Sequence, residues 1–181
     1  MSIKETGLLG CFVIQPEIFN DTRGYFYETF NQKRFNSKLG LNIHFVQDNE
    51  SLSSKGVLRG LHYQKGEYAQ AKLVRVIKGS ILDVVVDIRE GSKTFGQHFS
   101  IELSEENKTQ LFIPRGFAHG FLVLEDNTIF SYKCDNYYNK ASEAGIIYND
   151  PDLNIDWKLK KKKLILSEKD TILPHLKNAQ F

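Results

Sequence analysis

The feature that most restricts the fold is a series of short alternating runs between residues 72 and 134, set apart by tight-turn signals. His98-Phe-Ser-Ile-Glu-Leu103 puts Phe99, Ile101 and Leu103 on one face and His98, Ser100 and Glu102 on the other. Leu82, Val84, Val86 and Ile88 alternate in the same way against Asp83 and Asp87. Lys72-Leu-Val-Arg-Val-Ile77, Gln110-Leu-Phe-Ile113, Phe121-Leu-Val-Leu124 and Thr128-Ile-Phe-Ser-Tyr-Lys-Cys134 are further runs. Between them stand Lys78-Gly-Ser80, Glu90-Gly-Ser92, Pro114-Arg-Gly116 and Glu125-Asp-Asn127. Many short strands at this spacing define an antiparallel sandwich or barrel. A parallel α/β fold needs a helix between successive strands, and these turns leave no room for one. The chain is expected to be all-β.

Outside this block two short helices are expected. Asn31-Gln-Lys-Arg-Phe-Asn-Ser-Lys-Leu-Gly40 has a capping Asn at its start and a Gly where helices stop, so a helix is placed near residues 31–39. Ser167-Glu-Lys-Asp170 opens with another capping residue and predicts a short helix in the C-terminal tail. Asp150-Pro-Asp-Leu-Asn-Ile-Asp-Trp157 reads as an ordered loop. The 181 residues are expected to form one domain, 1–181, with an appendage over about 150–181.

Composition narrows the partners. Lys and Arg number 24 against 22 Asp and Glu, a formal charge of +2, so no field suited to nucleic acid is expected. The run Lys158-Leu-Lys-Lys-Lys-Lys163 is read as a solvated connecting segment. Cys11 and Cys134 have no metal-ligand spacing and read as small apolar strand residues in a reducing compartment. No stretch approaches the roughly 18 apolar residues of a membrane span. Met1-Ser-Ile-Lys-Glu-Thr6 does not read as a signal peptide. A cytoplasmic protein is expected.

Several polar side chains fall inside apolar strand context: Arg59, His62, Lys72, His119 and Tyr132. Such groups are costly to bury unpaired, so they point to a polar pocket between strands. There is no His-x-His, no His-Glu-x-x-His and no Cys-x-x-Cys. No metal site and no cofactor are expected, although His62 and His119 with a carboxylate would be the one alternative. A His, a Tyr and cations suit proton abstraction beside a carbonyl: a base, a cation for the enolate oxygen and a returning acid. One geometric condition attaches to this set. In a regular strand Arg59 and His62 face opposite sides. If both line the pocket, the strand must be irregular between them, at Gly60.

Gly56-Val-Leu-Arg-Gly-Leu-His-Tyr-Gln64 resembles the signature of the dTDP-4-dehydrorhamnose 3,5-epimerase family. Asp21-Thr-Arg-Gly-Tyr-Phe-Tyr-Glu28, Phe45-Val-Gln-Asp-Asn-Glu-Ser51, Lys72-Leu-Val-Arg-Val76 and Ile113-Pro-Arg-Gly-Phe-Ala-His-Gly-Phe121 resemble it as well. So do Tyr132-Lys-Cys134, Tyr137-Tyr138 and Leu166-Ser-Glu-Lys-Asp170, in the family's order. The resemblance implies a cupin-type jelly roll working without metal, usually as a homodimer. The substrate implied is a nucleotide-linked 4-keto-6-deoxyhexose, inverted at C3 and C5 on the way to dTDP-L-rhamnose for polysaccharide. It implies His62 as base, Asp170 as its orienting carboxylate and Tyr132 as the acid at C5. Lys72 and Arg59 would be cations near the sugar and phosphates. Gln47, Asp48 and Asn49 match the nucleotide segment, and Tyr138 the ring that stacks on thymine. Arg23 and Glu28 match residues reaching the site from the partner subunit. His119, Glu143 and Lys169 match further ligand contacts.

Two rival readings stay open at this level. One is an epimerase, at C5 only or at C3 and C5, or a ketoisomerase, acting on another nucleotide-linked 4-keto sugar. The other is a metal-binding cupin.

Overall fold

In the computed structural model, which describes residues 1–160 and 163–181, each of the four turn signals holds a left-handed residue. These are Gly79, Gly91 and Gly116, with φ of 76°, 75° and 81°, and Asn127 with φ of 57°. The requirement is steric as well as conformational at Gly79, where a Cβ would lie 2.4 Å from Thr128 Oγ1.

The runs between these turns pair into two antiparallel sheets. The first joins β1 (Ser2–Glu5), β2 (Phe12–Gln15), β10 (Gln110–Ile113), β7 (Lys72–Lys78), β12 (Thr128–Cys134) and β5 (Gln47–Ser53) in that order. The second runs β13 (Glu143–Gly145), β6 (Leu58–Gln64), β11 (Phe117–Val123), β8 (Ser80–Asp87) and β9 (His98–Ser104). Most spatial neighbours are distant in sequence, the winding of a jelly roll. A two-stranded hairpin, β3 (Phe19–Asp21) with β4 (Gly24–Phe26), pairs with neither sheet.

The inner faces meet in one core. Val74, Val76, Leu111, Ile113 and Phe130 come from the first sheet; Ile81, Val85, Leu103, Phe117 and Phe121 come from the second. The outer faces are covered too. Helix α1 (Gln32–Leu39) seats Phe35 against Ile14, Leu73 and Phe112. Its limits follow the expected caps: the Asn31 side chain accepts from the Arg34 N–H, and Gly40 closes the helix at φ 66°. The tail covers the second sheet with Ile146, Tyr148, Leu153 and Trp157 over Leu82, Val84 and Val86.

This double coverage buries β8 on both faces. All eight of its residues are buried. Asp83 and Asp87 therefore lie inside the sandwich, fully buried. Asp87 is satisfied there by Arg89, Ser92 and Thr94 at 2.6 Å each, and by the Arg89 N–H at 3.0 Å.

Trp157 donates its indole N–H to Tyr148 O at 2.8 Å, which fixes the expected ordered loop. The helix expected after Ser167 is α2 (Glu168–Thr171), with Ser167 Oγ accepting from the Asp170 N–H. Lys158 is paired with Asp156, and Lys160 and Lys163 are exposed; Lys161 and Lys162 of the lysine run lie outside the described residues. No helix among the described residues is long and apolar enough to cross a membrane.

Candidate active site

The β6–β11 ladder is irregular where parity requires it. His62 pairs with His119 and Arg59 with Phe121, so three steps of β6 oppose two of β11. Gly60 sits inside this bulge at φ 125°. A Cβ there would come within 2.4 Å of Gly120 Cα and 2.8 Å of His119 O. The two backbones touch because both positions are glycine. The slip turns Arg59 and His62 to the same side, where both line a cavity of about 580 Å³.

That cavity opens between the sheets. His62, Arg59 and His119 come from β6 and β11 on one side. Lys72, Tyr132 and Asn49 come from β7, β12 and β5 on the other. Ser167, Lys169 and Asp170 close it from the tail. A second hollow of about 270 Å³ adjoins it and shares Asn49, His62, Lys72 and Tyr132. Gln47, Tyr138 and Glu143 line this annex.

His62 Nε2 lies 2.5 Å from Asp170 Oδ1. Burial alone would raise the Asp170 carboxyl, but the hydrogen bond and charge of His62, with Ser167 and Lys169, hold it below the usual carboxylate range. An ionised carboxylate only accepts, so the imidazole proton is on Nε2 and Nδ1 is the basic nitrogen.

The second histidine repeats the arrangement deeper in the fold. His119 Nε2 lies 2.9 Å from Asp83 Oδ2, with both side chains buried. Burial pushes the His119 imidazole down, only partly offset by Asp83, so the ring is neutral. Asp83 Oδ1 is buried and has no hydrogen-bond partner among the described residues. The two rings are bonded to different carboxylates. Among the described residues no three His, Cys, Asp or Glu side chains group as metal ligands.

On the facing sheet burial lowers the Lys72 ammonium, while Cys134, Asp83 and Glu143 oppose the shift. Its Nζ lies 5.8 Å from the centre of the Tyr132 ring. Burial raises the Tyr132 phenol, which keeps its proton. At the mouth Glu143 accepts from Lys169 and, at 2.9 Å, from Tyr138 Oη. These bonds outweigh the effect of burial and hold Glu143 below its usual range.

Eleven of the fourteen sequence-derived residues are brought together in the cavity and its annex. Asp48 is not: it points away from Gln47 and Asn49 and pairs with Lys133 at 2.9 Å. Arg23 and Glu28 lie away from this cavity. Arg23, on the free hairpin, pairs with Asp21, and Glu28 bonds Asn31 and Arg34. Sequence reasoning missed Asp83 as the partner of His119. Its signal was an acid inside an apolar strand.

A His–Asp pair, a buried lysine and a protonated phenol between the sheets of a cupin-type jelly roll are the groups that proton transfer beside a carbonyl needs, the chemistry of one class of isomerases. The family model for dTDP-4-dehydrorhamnose 3,5-epimerase matches residues 5–178. The chain belongs to that family. The Escherichia coli dTDP-4-dehydrorhamnose 3,5-epimerase is 52% identical over 170 residues, 94% of this chain and 91% of the relative. The crystal structure of the Elizabethkingia anophelis enzyme of that name superposes with a TM-score of 0.95 at 57% identity, covering 98% of this chain and 97% of the other. A Legionella pneumophila dTDP-6-deoxy-D-glucose-3,5-epimerase in complex with dTDP-4-keto-L-rhamnose gives 0.94 at 50% identity, covering 98% and 93%.

Proposed function

We propose that this chain converts dTDP-4-dehydro-6-deoxy-D-glucose to dTDP-4-dehydro-L-rhamnose by inverting C5 and C3. The observation that carries the reading is the placement of base and acid on opposite sheets, His62 on β6 and Tyr132 on β12, across one cavity. Inversion needs a proton to leave one face of a carbon and return to the other.

His62 Nδ1 takes the proton from C5. The C–H electron pair moves into the enolate, whose oxygen at C4 faces the Lys72 ammonium. Tyr132 gives its phenolic proton to the other face of C5. Imidazolium and phenolate return to their starting states by exchange with water. Asp170 keeps the imidazole in the reactive tautomer and stabilises its charged form. Arg59 and Lys169 serve the phosphates. Gln47, Asn49 and Tyr138 hold the nucleotide in the annex, where the half-exposed Tyr138 ring is free to stack on the base.

The working unit we propose is a homodimer in the cytosol, with Arg23 and Glu28 reaching the partner's cavity. Support comes from the unpaired hairpin, which leaves Phe19, Tyr25 and Phe26 more than half exposed. The free thiols of Cys11 and Cys134 fit a reducing compartment.

The test is turnover of the 4-keto nucleotide sugar in deuterium oxide. Deuterium at both C3 and C5 of an L-configured product supports the reading. Label at one carbon alone, or a carbonyl moved to C3, points to the rival enzymes. Loss of turnover on chelation of the purified protein points to the metal reading.

A further inference from the structure

Asp150 is fully buried, lines neither the cavity nor its annex, and has every acceptor position in use. Its Oδ1 accepts the N–H groups of Asp152 at 2.8 Å and Leu153 at 3.2 Å, closing the turn it belongs to. Its Oδ2 reaches across to a different part of the tail. There it accepts the Leu176 N–H at 2.7 Å and the His175 ring Nδ1–H at 3.3 Å. Burial alone would raise this carboxyl; the N–H groups of Leu176, Asp152 and Leu153, with His175, hold it below the usual range. It is a carboxylate bridging two segments.

The segment it moors carries Asp170. At its near end Ile165 donates to Gly56 O at 2.8 Å and accepts from the Leu58 N–H at 2.9 Å. At its far end Pro174 O accepts from the Ile147 N–H at 2.9 Å, and residues 175 and 176 hang on Asp150. Between the moorings Leu173 lies over Gly145, where a Cβ would come within 2.8 Å of Leu173 Cδ1. The helix bearing Asp170 has only four residues and no length of its own to hold a carboxylate in place.

We infer that Asp150 is a positioning residue: by fixing the far end of the 165–176 segment it holds Asp170 in register with His62. The inference rests on the proposed role of the His62–Asp170 pair. A hydrogen bond of 2.5 Å tolerates little drift, and a misplacement of about 1 Å at a catalytic group costs on the order of 10²-fold in rate. The bonds to His175 and Leu176 hold the end of the stretch just beyond the Pro174 and Leu173 contacts, so their loss loosens the moorings nearest Asp170.

Asp150→Asn separates this role from the local one. The amide oxygen can still accept from Asp152 and Leu153, but the amide nitrogen cannot accept from Leu176. The first readout is the proton signal of the His62 Nε2–H in the substrate-free protein, assigned by its loss in His62→Ala. In Asp150→Asn it is expected to move upfield and broaden. The second is a cycle with Asp170→Asn. Asp150→Asn alone is expected to lower kcat by about 10–100-fold with little change in KM. Added to Asp170→Asn it is expected to cost nothing further. An unmoved proton signal, a wild-type kcat, or an undiminished penalty in the Asp170→Asn background would overturn the inference. If Asp150→Asn does not fold, His175→Ala removes the longest of the four bonds. Its proton signal must move in the same direction, and a wild-type signal overturns the inference equally. The signal needs no turnover, so it stands apart from the failure of the proposed reaction.

Discussion

Arg59 and His62 stand three residues apart on β6 and line one cavity, because three steps of β6 are set against two of β11 between them. The slip is local. Leu58 and Leu122 are again in register one step further on. One extra residue thus converts an alternating strand into one that presents two cationic or basic side chains to the same cavity.

Gly60→Ala tests this directly. The new methyl would meet Gly120 Cα at 2.4 Å, backbone against backbone, at a φ of 125°. The expected loss of stability is about 3 kcal/mol or more, read by urea unfolding, with activity lost in step. Wild-type stability would mean that the two strands do not touch.

The dyad makes a separable prediction. Asp170→Asn is expected to lower kcat by about 10²–10⁴-fold, since an amide can neither fix the Nε2–H tautomer nor support the imidazolium. His62→Ala should abolish deuterium exchange into the substrate without unfolding the protein. Tyr132→Phe should slow product formation more than exchange. Equal loss of both in Tyr132→Phe would remove it as the returning acid.

The alkaline limb of the rate profile is expected to belong to Lys72. Its active form is the ammonium, and burial lowers it from the ordinary 10.5. Tyr132 shifts the opposite way, raised from 10.0 by its own burial. A fall in activity that begins below the ordinary lysine range would therefore belong to Lys72. In Lys72→Arg, which stays charged, any residual activity should keep its level through that range. A limb unmoved in Lys72→Arg would assign it elsewhere.

Asp87 predicts a pH effect on stability. Its buried carboxyl is held well below the usual range: burial would raise it, but Arg89, Ser92 and Thr94 outweigh that. The unfolded chain takes up this proton near pH 4, the folded one only at lower pH. The stabilisation is full above about pH 4 and declines as pH falls further. Asp87→Asn is expected to cost about 3 kcal/mol at neutral pH and to flatten the acid slope, both measured by denaturation.

The partner-subunit role is checked by mixing. Arg23→Ala and His62→Ala subunits, each impaired alone, should regain part of the activity when exchanged into one dimer. No recovery, or a monomer at working concentration, would confine the site to one chain.

Much of this was legible because the chemistry breaks a pattern. His62, Lys72 and Tyr132 stand out as polar groups in apolar strands, and the parity of Arg59 and His62 located the bulge at Gly60. Asn31 and Gly40 marked a helix by its ends. The elements that escaped had no pattern of their own. Gln47–Ser53 is almost wholly polar and becomes a strand only because β12 supplies its partners. Asp83 and Asp87 showed only as the second face of an alternating strand, since nothing local says that the tail will cover the other side of β8. Asp83 meets His119 across two neighbouring strands, and Asp150 meets Leu176 across a turn and a helix. Those pairings are properties of the assembled tail and sheets, not of any short stretch.

The carboxylate of the dyad lies 108 residues after its histidine. A chain made from its N-terminus places every sheet strand, and the histidine, before the carboxylate leaves the ribosome. The dyad's acceptor arrives last and docks on a sandwich whose strands have all been made. Until that docking a nascent chain holds the hollow between its sheets without the His62–Asp170 pair. Nucleotide affinity should thus precede turnover in time, and the onset of turnover would mark the end of assembly.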